Sequence, residues 1–364
     1  MTKATAEGTW GYRERFGDSY GRTYFRRFGP GVVASVGFGT YLGDPTDEVD
    51  DRYRAALVTA LEHGSNLVDT AVNYRAQRSE RVVGEALDDA DVDRESVVVA
   101  TKGGFLPFDG SRPDDPGRYL HEEFLASGLV DPADLARGSH CVTPEFVGAM
   151  LDRSLDNLGL DSVDLYYVHN PETQLEARGR EAVYDRLEAT FAHLEERVAA
   201  GDVGAYGVAS WEAFRVPPEH EKHLSLPELL ARAEAAAESV GADEHHFAAI
   251  QLPFNVVMAD AFTVAAHPTG EGRLSALEFA HEAGLDVFTS ASIAQGELAA
   301  ELPERIAAEL NGDTTAQRAI NFARSAPAVT AALVGSSRPS HVAENLAAGT
   351  FDPLGARAFD AVFE

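Results

Sequence analysis

The chain has 364 residues, 45% of them apolar and 24% charged, a globular composition long enough for one α/β barrel or two average domains. Against 30 basic residues stand 59 acidic ones, a net charge of −29, and a field of that sign repels nucleic acid and anionic membrane surfaces. A single cysteine, Cys141, excludes an intramolecular disulfide and disfavours a cysteine-built metal site, and no run of 18 or more apolar residues reads as a membrane span.

Residues 1–22 read as a polar N-terminal extension on a single domain spanning 1–364. They lack the apolar stretch of a signal peptide, which points to a cytoplasmic protein. The acids are scattered along the chain, and lysine occurs only at Lys3, Lys102 and Lys222. Such a surface is similar to that of proteins from salt-accumulating halophiles, where self-repulsion is screened within about 3 Å at roughly 1 M salt.

In chain order, strands over 32–37, 66–69 and 97–101 are followed by helical patterns over 47–63, 79–90 and 143–158. Strands over 164–168, 204–208, 248–252, 286–289 and 329–334 are followed in the same way by helices over 180–200, 225–240, 272–283, 314–325 and 339–348. Gly159, Gly201, Gly241 and Gly284 stand near helix ends, where a C-terminal cap favours glycine. Eight strand-then-helix units predict an α/β fold, the (β/α)8 TIM barrel, with its site at the C-terminal ends of the strands. The alternative is a doubly wound open sheet, but Gly37-Phe38-Gly39-Thr40 lacks the third glycine of a dinucleotide-binding fingerprint. Two long loops, 103–142 and 210–224, carry Phe105, Phe108, Tyr119, Phe124, Trp211 and Phe214. On the C-terminal face of a barrel, loops of that length cover or shape a substrate site.

Asp69, Tyr74, Lys102 and His169 fall at or just beyond the ends of strands two, three and four. A phenol with a pKa of about 10 exchanges its proton poorly near neutrality, and an ammonium within about 4–6 Å lowers that value by roughly one to three units. In this arrangement Lys102 lowers the pKa of Tyr74, Asp69 keeps Lys102 charged, and His169 donates to a carbonyl oxygen. The four residues make a proton-donating oxyanion site without a metal; its missing electron source is a hydride of the nicotinamide kind. Two other readings fit the same residues: a Schiff-base aldolase with Lys102 as nucleophile, and a non-catalytic module that only carries a cofactor.

The run His63-Gly64-Ser65-Asn66-Leu67-Val68-Asp69-Thr70-Ala71-Val72-Asn73-Tyr74 resembles the G-x-N-x-x-D-T-A-x-x-Y signature of aldo-keto reductases. The stretch from Asp164 to Pro171 looks like their strand-four D-L-Y-Y-x-H-N-P. The resemblance implies NAD(P)H-linked interconversion of a carbonyl (aldehyde, ketone or sugar lactol) and an alcohol. It implies Tyr74 as general acid or base, Lys102 tuning it, Asp69 pairing with Lys102, and His169 orienting the substrate. For the cofactor it implies Gly39, Thr40, Tyr41 and Asp69 beside the nicotinamide, and Ser210 and Gln251 on its carboxamide. Ser290 stands where the family's stacking aromatic usually is, and Ser336, Arg338, Glu344 and Asn345 fall in the adenine-end motif. Gly335 and His341 replace the lysine and arginine that some members use for a 2′-phosphate, leaving Arg338 as the nearest guanidinium. NADP(H) is therefore expected as the preferred cofactor, with NAD(H) possible. A small-molecule substrate is the expected partner, on a monomer or small homo-oligomer.

Overall fold

In the computed structural model, which describes residues 3–363, helices start and stop on local chemistry. Thr46 accepts the Val49 N–H ahead of the helix Asp47–Glu62, whose first turn carries Asp47, Glu48 and Asp50. Thr143 caps Pro144–Leu158 in the same way, and left-handed Gly159 ends it.

The strands run β1 (Phe25–Phe28), β2 (Gly31–Ala34), β3 (Val36–Gly39), β4 (Leu67–Asp69), β5 (Val98–Gly103), β6 (Val163–His169), β7 (Val203–Ala209), β8 (Phe247–Pro253), β9 (His267–Thr269), β10 (Gly272–Leu274), β11 (Asp286–Ser290) and β12 (Val329–Val334). Eight of them close a parallel barrel in the order β11-β12-β3-β4-β5-β6-β7-β8, with helices between successive strands. Successive side chains on a strand face opposite sides. The inward set includes Leu67 on β4, Val98 and Ala100 on β5, Leu165 and Tyr167 on β6, and Ala249 on β8, all in one buried cluster inside the barrel. Two residues further along the same strands stand Asp69, Lys102, His169 and Gln251. The period of two thus brings these polar groups to the C-terminal mouth on the same inward face. Phe28 and Val33 of the antiparallel β1–β2 hairpin pack into the opposite end of this cluster.

The structure corrects two predicted elements. The apolar run 32–37 is not one strand: it breaks at Ser35, so that β2 pairs back on β1 while β3 enters the barrel. An apolar run interrupted by one small serine carries no clear periodic signal for such a break. The helix expected over 272–283 begins only at Ala276, because Ser275 and Glu278 form a capping box there, and Gly272–Leu274 pairs with β9. Within the N-terminal extension, Ala6–Phe16 is a helix whose Tyr12 hydroxyl donates to the Leu61 carbonyl at 2.6 Å. No helix among the described residues is long and apolar enough to cross a membrane.

Asp286 opens β11 at the N-terminal mouth, accepting from Thr330 Oγ1 at 2.8 Å, and burial pushes its carboxyl up to about 6. A folded-state pKa above the ordinary value of 3.8 means that protonation favours the folded state. That contribution is complete below the ordinary value and is lost as pH rises through about 6. Asp286→Asn is expected to raise the Tm near neutral pH, with the gain vanishing near about pH 4, as thermal unfolding at the two pH values will read.

Candidate active site

The floor of the C-terminal mouth is a hydrogen-bonded triad. Asp69 Oδ1 accepts from Lys102 Nζ at 2.6 Å, and its Oδ2 accepts from Gln251 Nε2 at 2.7 Å. Lys102 Nζ also donates to the Thr70 carbonyl at 2.7 Å and is fully buried. Burial pulls its ammonium below the ordinary lysine range, against the pull of Asp69 and, more weakly, Glu80. Glu80, which the sequence pattern does not single out, is itself buried and held by Thr101 Oγ1 at 2.5 Å and Asn157 Nδ2 at 2.9 Å. Its carboxyl is raised by burial.

Tyr74 and His169 stand above this floor. Lys102 Nζ lies 5.1 Å from the centre of the Tyr74 ring, and that ring meets Tyr41 at 5.0 Å and His169 at 5.9 Å, edge to face. Burial pushes the Tyr74 phenol well above its ordinary value, and the charge of Asp69 adds to the rise. This reverses the downward shift expected from Lys102. The ammonium is already paired with a carboxylate at 2.6 Å, so little of its field is left to offset the loss of water around the phenol. His169 is pushed well below its ordinary value by burial and then by Lys102, so its imidazole is neutral near pH 7. Its Nδ1 is buried without a hydrogen-bond partner, and Phe105 meets the ring edge-on at 5.2 Å.

One cavity of about 1070 Å³ joins these residues to the rest of the expected site. Its walls hold Asp69, Tyr74 and His169, with Gly39, Thr40 and Tyr41 from the end of β3. Ser210, Gln251 and Ser290 come from the ends of β7, β8 and β11, and Ser336, Arg338, Glu344 and Asn345 from beyond β12. Thus every expected site residue lines the cavity except Lys102, which is fully buried behind Asp69. Ser336 Oγ accepts the Arg338 N–H at 3.1 Å, shaping the turn that starts the helix Pro339–Ala347. The segment after Ser290 takes left-handed backbone at Ala291, Ala294, Gln295 and Gly296 and supplies no aromatic ring; besides the imidazoles of His169 and His341, the rings on the wall are Tyr41, Tyr53, Tyr74, Phe105 and Trp211. Trp211 is held by residues outside the expected site set: its backbone N–H donates to Asn170 Oδ1 and Glu172 Oε1, each at 2.9 Å. Asn170 and Glu172 directly follow His169 in Asn170-Pro171-Glu172, the one local signal that could have marked them.

The sequence model of the Aldo/keto reductase family matches residues 35–229 and 236–364. Among curated proteins, 2,5-diketo-D-gluconic acid reductase B of Corynebacterium sp. is 33% identical over 138 residues, 38% of this chain and 35% of that protein. D-threo-aldose 1-dehydrogenase of Pseudomonas sp. is 33% identical over 163 residues, 44% of each chain. The matched stretches thus span less than half the length of these two relatives. Among solved structures, an aldo/keto reductase from Klebsiella pneumoniae in complex with NADP and acetate superposes with a TM-score of 0.60 at 20% identity, covering 93% of this chain and 94% of that one. That likeness is one of fold.

Proposed function

This chain belongs to the aldo/keto reductase family, and from that premise we propose that it is an NAD(P)H-dependent oxidoreductase that interconverts a carbonyl compound and an alcohol. One observation carries the reading: a buried Asp69–Lys102 pair lies beneath Tyr74 and His169 at the wall of a single large cavity. The reductase and dehydrogenase named among the relatives catalyse carbonyl and alcohol conversions by their names, which supports the class.

The donor set fits a dinucleotide. At one side of the cavity Ser210 and Gln251 offer a hydroxyl and an amide to a carboxamide. At another, exposed Arg338 and half-buried Ser336 stand at the N-terminus of the helix Pro339–Ala347, a combination of guanidinium, hydroxyl and helix end that suits a phosphate. Glu344 and Asn345 lie nearly two turns further along the same helix, where they would hold the adenine. When bound, the nicotinamide supplies the hydride.

The chain's own residues handle the proton and the oxygen. Tyr74 holds its phenolic proton, because burial opposes ionisation, and delivers it to the carbonyl oxygen as negative charge develops there. His169 is neutral and carries one N–H; with Nδ1 unpartnered we place it on Nε2, donating to the same oxygen. Lys102, fixed by Asp69 and Thr70, supplies positive charge beneath both groups without touching the substrate. Those two hydrogen bonds and full burial also disfavour Lys102 as a Schiff-base nucleophile.

On this reading the chain is one barrel domain, cytoplasmic, monomeric or a small homo-oligomer, with NADP(H) preferred and an acidic surface adapted to high salt. The test is turnover of a panel of sugars, aldehydes and ketones with NADPH and NADH in about 2 M KCl. NADPH is expected to give the larger kcat/KM. Arg338→Ala is expected to raise the NADPH dissociation constant about 10-fold and to leave that for NADH within about twofold, an ion-pair effect confined to the extra phosphate. Equal losses for both cofactors would remove Arg338 from the phosphate site.

A further inference from the structure

The 103–142 loop closes on itself beside the site. Cys141 N–H donates to the Gly104 carbonyl and Leu106 N–H to the Ser139 carbonyl, each at 2.8 Å, which brings His140 against Gly104 and Phe105. His140 is fully buried, and its Nε2 lies 2.8 Å from the carbonyl oxygen of His169. Gln174 Nε2 approaches both His140 Nδ1 and the His140 carbonyl at 2.9 Å.

These contacts fix the proton. A carbonyl oxygen only accepts, so Nε2 of His140 carries the hydrogen; an amide nitrogen only donates, so Nδ1 carries the lone pair. The amide cannot reverse without losing its bond to the His140 carbonyl, and its oxygen already accepts from Arg178 Nε at 3.3 Å. Burial, with Arg137 and Lys222 nearby, holds the imidazole neutral by lowering its pKa to about 4.

On one side His169 is already paired, with Ala209 of β7, and on the other it is not. Pairing of β5 with β6 ends at Gly103 and Val168, one residue short of it. The His140 side chain supplies a donor at the next carbonyl, and Phe105 bridges the two imidazoles edge-on, 4.8 Å from His140 and 5.2 Å from His169. Gly104 leaves the gap: a Cβ there would stand 2.5 Å from the His169 oxygen. We infer that His140 is a positioning residue, whose Nε2–H holds the backbone of His169, and with it the carbonyl-orienting imidazole, in productive register. The inference rests on the role proposed for His169.

The experiment compares kcat, KM and NADPH affinity in wild type, His140→Phe, His140→Gln, His169→Ala and the double variant His140→Phe/His169→Ala. His140→Phe keeps a ring against Phe105 but removes the donor. It is expected to lower kcat by about 10- to 100-fold, the cost of a small misplacement near the reacting atoms, while the NADPH dissociation constant stays within about twofold. His140→Gln, which restores an N–H donor, is expected to recover kcat to within about fivefold of wild type. In the His169→Ala background the second change is expected to cost nothing more, since its effect runs through His169. If His140→Phe keeps wild-type kcat, or costs the same factor with and without His169, the inference is overturned. If His169→Ala alone leaves kcat intact, it is the role of His169 that fails, and the inference with it. Should His140→Phe not fold, Gln174→Met, which releases the tautomer lock, takes its place in the same cycle: a loss of kcat that vanishes in the His169→Ala background supports the inference, and wild-type kcat or an undiminished loss overturns it.

Discussion

Tyr74→Phe is expected to lower kcat for carbonyl reduction by about 10³-fold, or about 4 kcal/mol of transition-state stabilisation, while NADPH binding stays near wild type. The substitution removes one oxygen. The ring keeps its contacts with Tyr41 and His169 and its place over Lys102, so packing is retained and the loss reports the proton. The direction of the Tyr74 shift adds a pH signature. A phenol raised above its ordinary value stays protonated across the neutral and mildly alkaline range, and reduction uses the protonated form. The reductive kcat is therefore expected to show no alkaline fall from this group below about pH 10, whereas alcohol oxidation, which needs the phenolate, is expected to rise with pH. An alkaline limb in reduction near pH 8 that disappears in Tyr74→Phe would mean that Lys102 overrides burial.

Lys102→Arg is expected to cost about 10²-fold in kcat with little change in cofactor affinity. The ammonium donates to Asp69 Oδ1 and the Thr70 carbonyl from a fully buried position, and a planar guanidinium is too broad to reproduce both contacts there. The charge survives; its location does not. Lys102→Met asks a different question, since it leaves Asp69, 5% exposed, as an uncompensated carboxylate. Breaking a buried pair from one side costs about 3–5 kcal/mol, and neutralising both partners costs less. Thermal unfolding is thus expected to place Asp69→Asn/Lys102→Met above Lys102→Met in Tm, with both variants inactive. Equal stability of the two would mean that the pair is not electrostatically coupled.

The fold was legible because a barrel repeats a local pattern. Apolar strands alternated with capped helices, and the period of two along β4, β5 and β6 sufficed to put Asp69, Lys102 and His169 on one inward face. Irregular pieces were not legible. Nothing in the apolar run around Ser35 announces a change of sheet, and Gly272–Leu274 becomes a strand only through pairing with β9. The site divides in the same way. Residues whose chemistry is visible in their own side chains stand out, whereas Glu80, His140 and Glu172 act through contacts with residues 21 to 77 positions away, which leave no periodic trace. The direction of the Tyr74 shift is hidden in the sequence for a related reason. Sequence places charges but not the depth of burial, and at Tyr74 burial dominates.

The proposed reaction would take its hydride from a nicotinamide and its proton from Tyr74. Its most direct test is isotopic: purified protein in about 2 M KCl, NADPH deuterated at the transferring C4 position, and the carbonyl compound from the panel that turns over fastest, with the product analysed by mass spectrometry. One deuterium is expected on the former carbonyl carbon with wild type, and almost no labelled alcohol with Tyr74→Phe. Alcohol carrying only solvent hydrogen at that carbon, or labelled alcohol formed equally well by Tyr74→Phe, would contradict it.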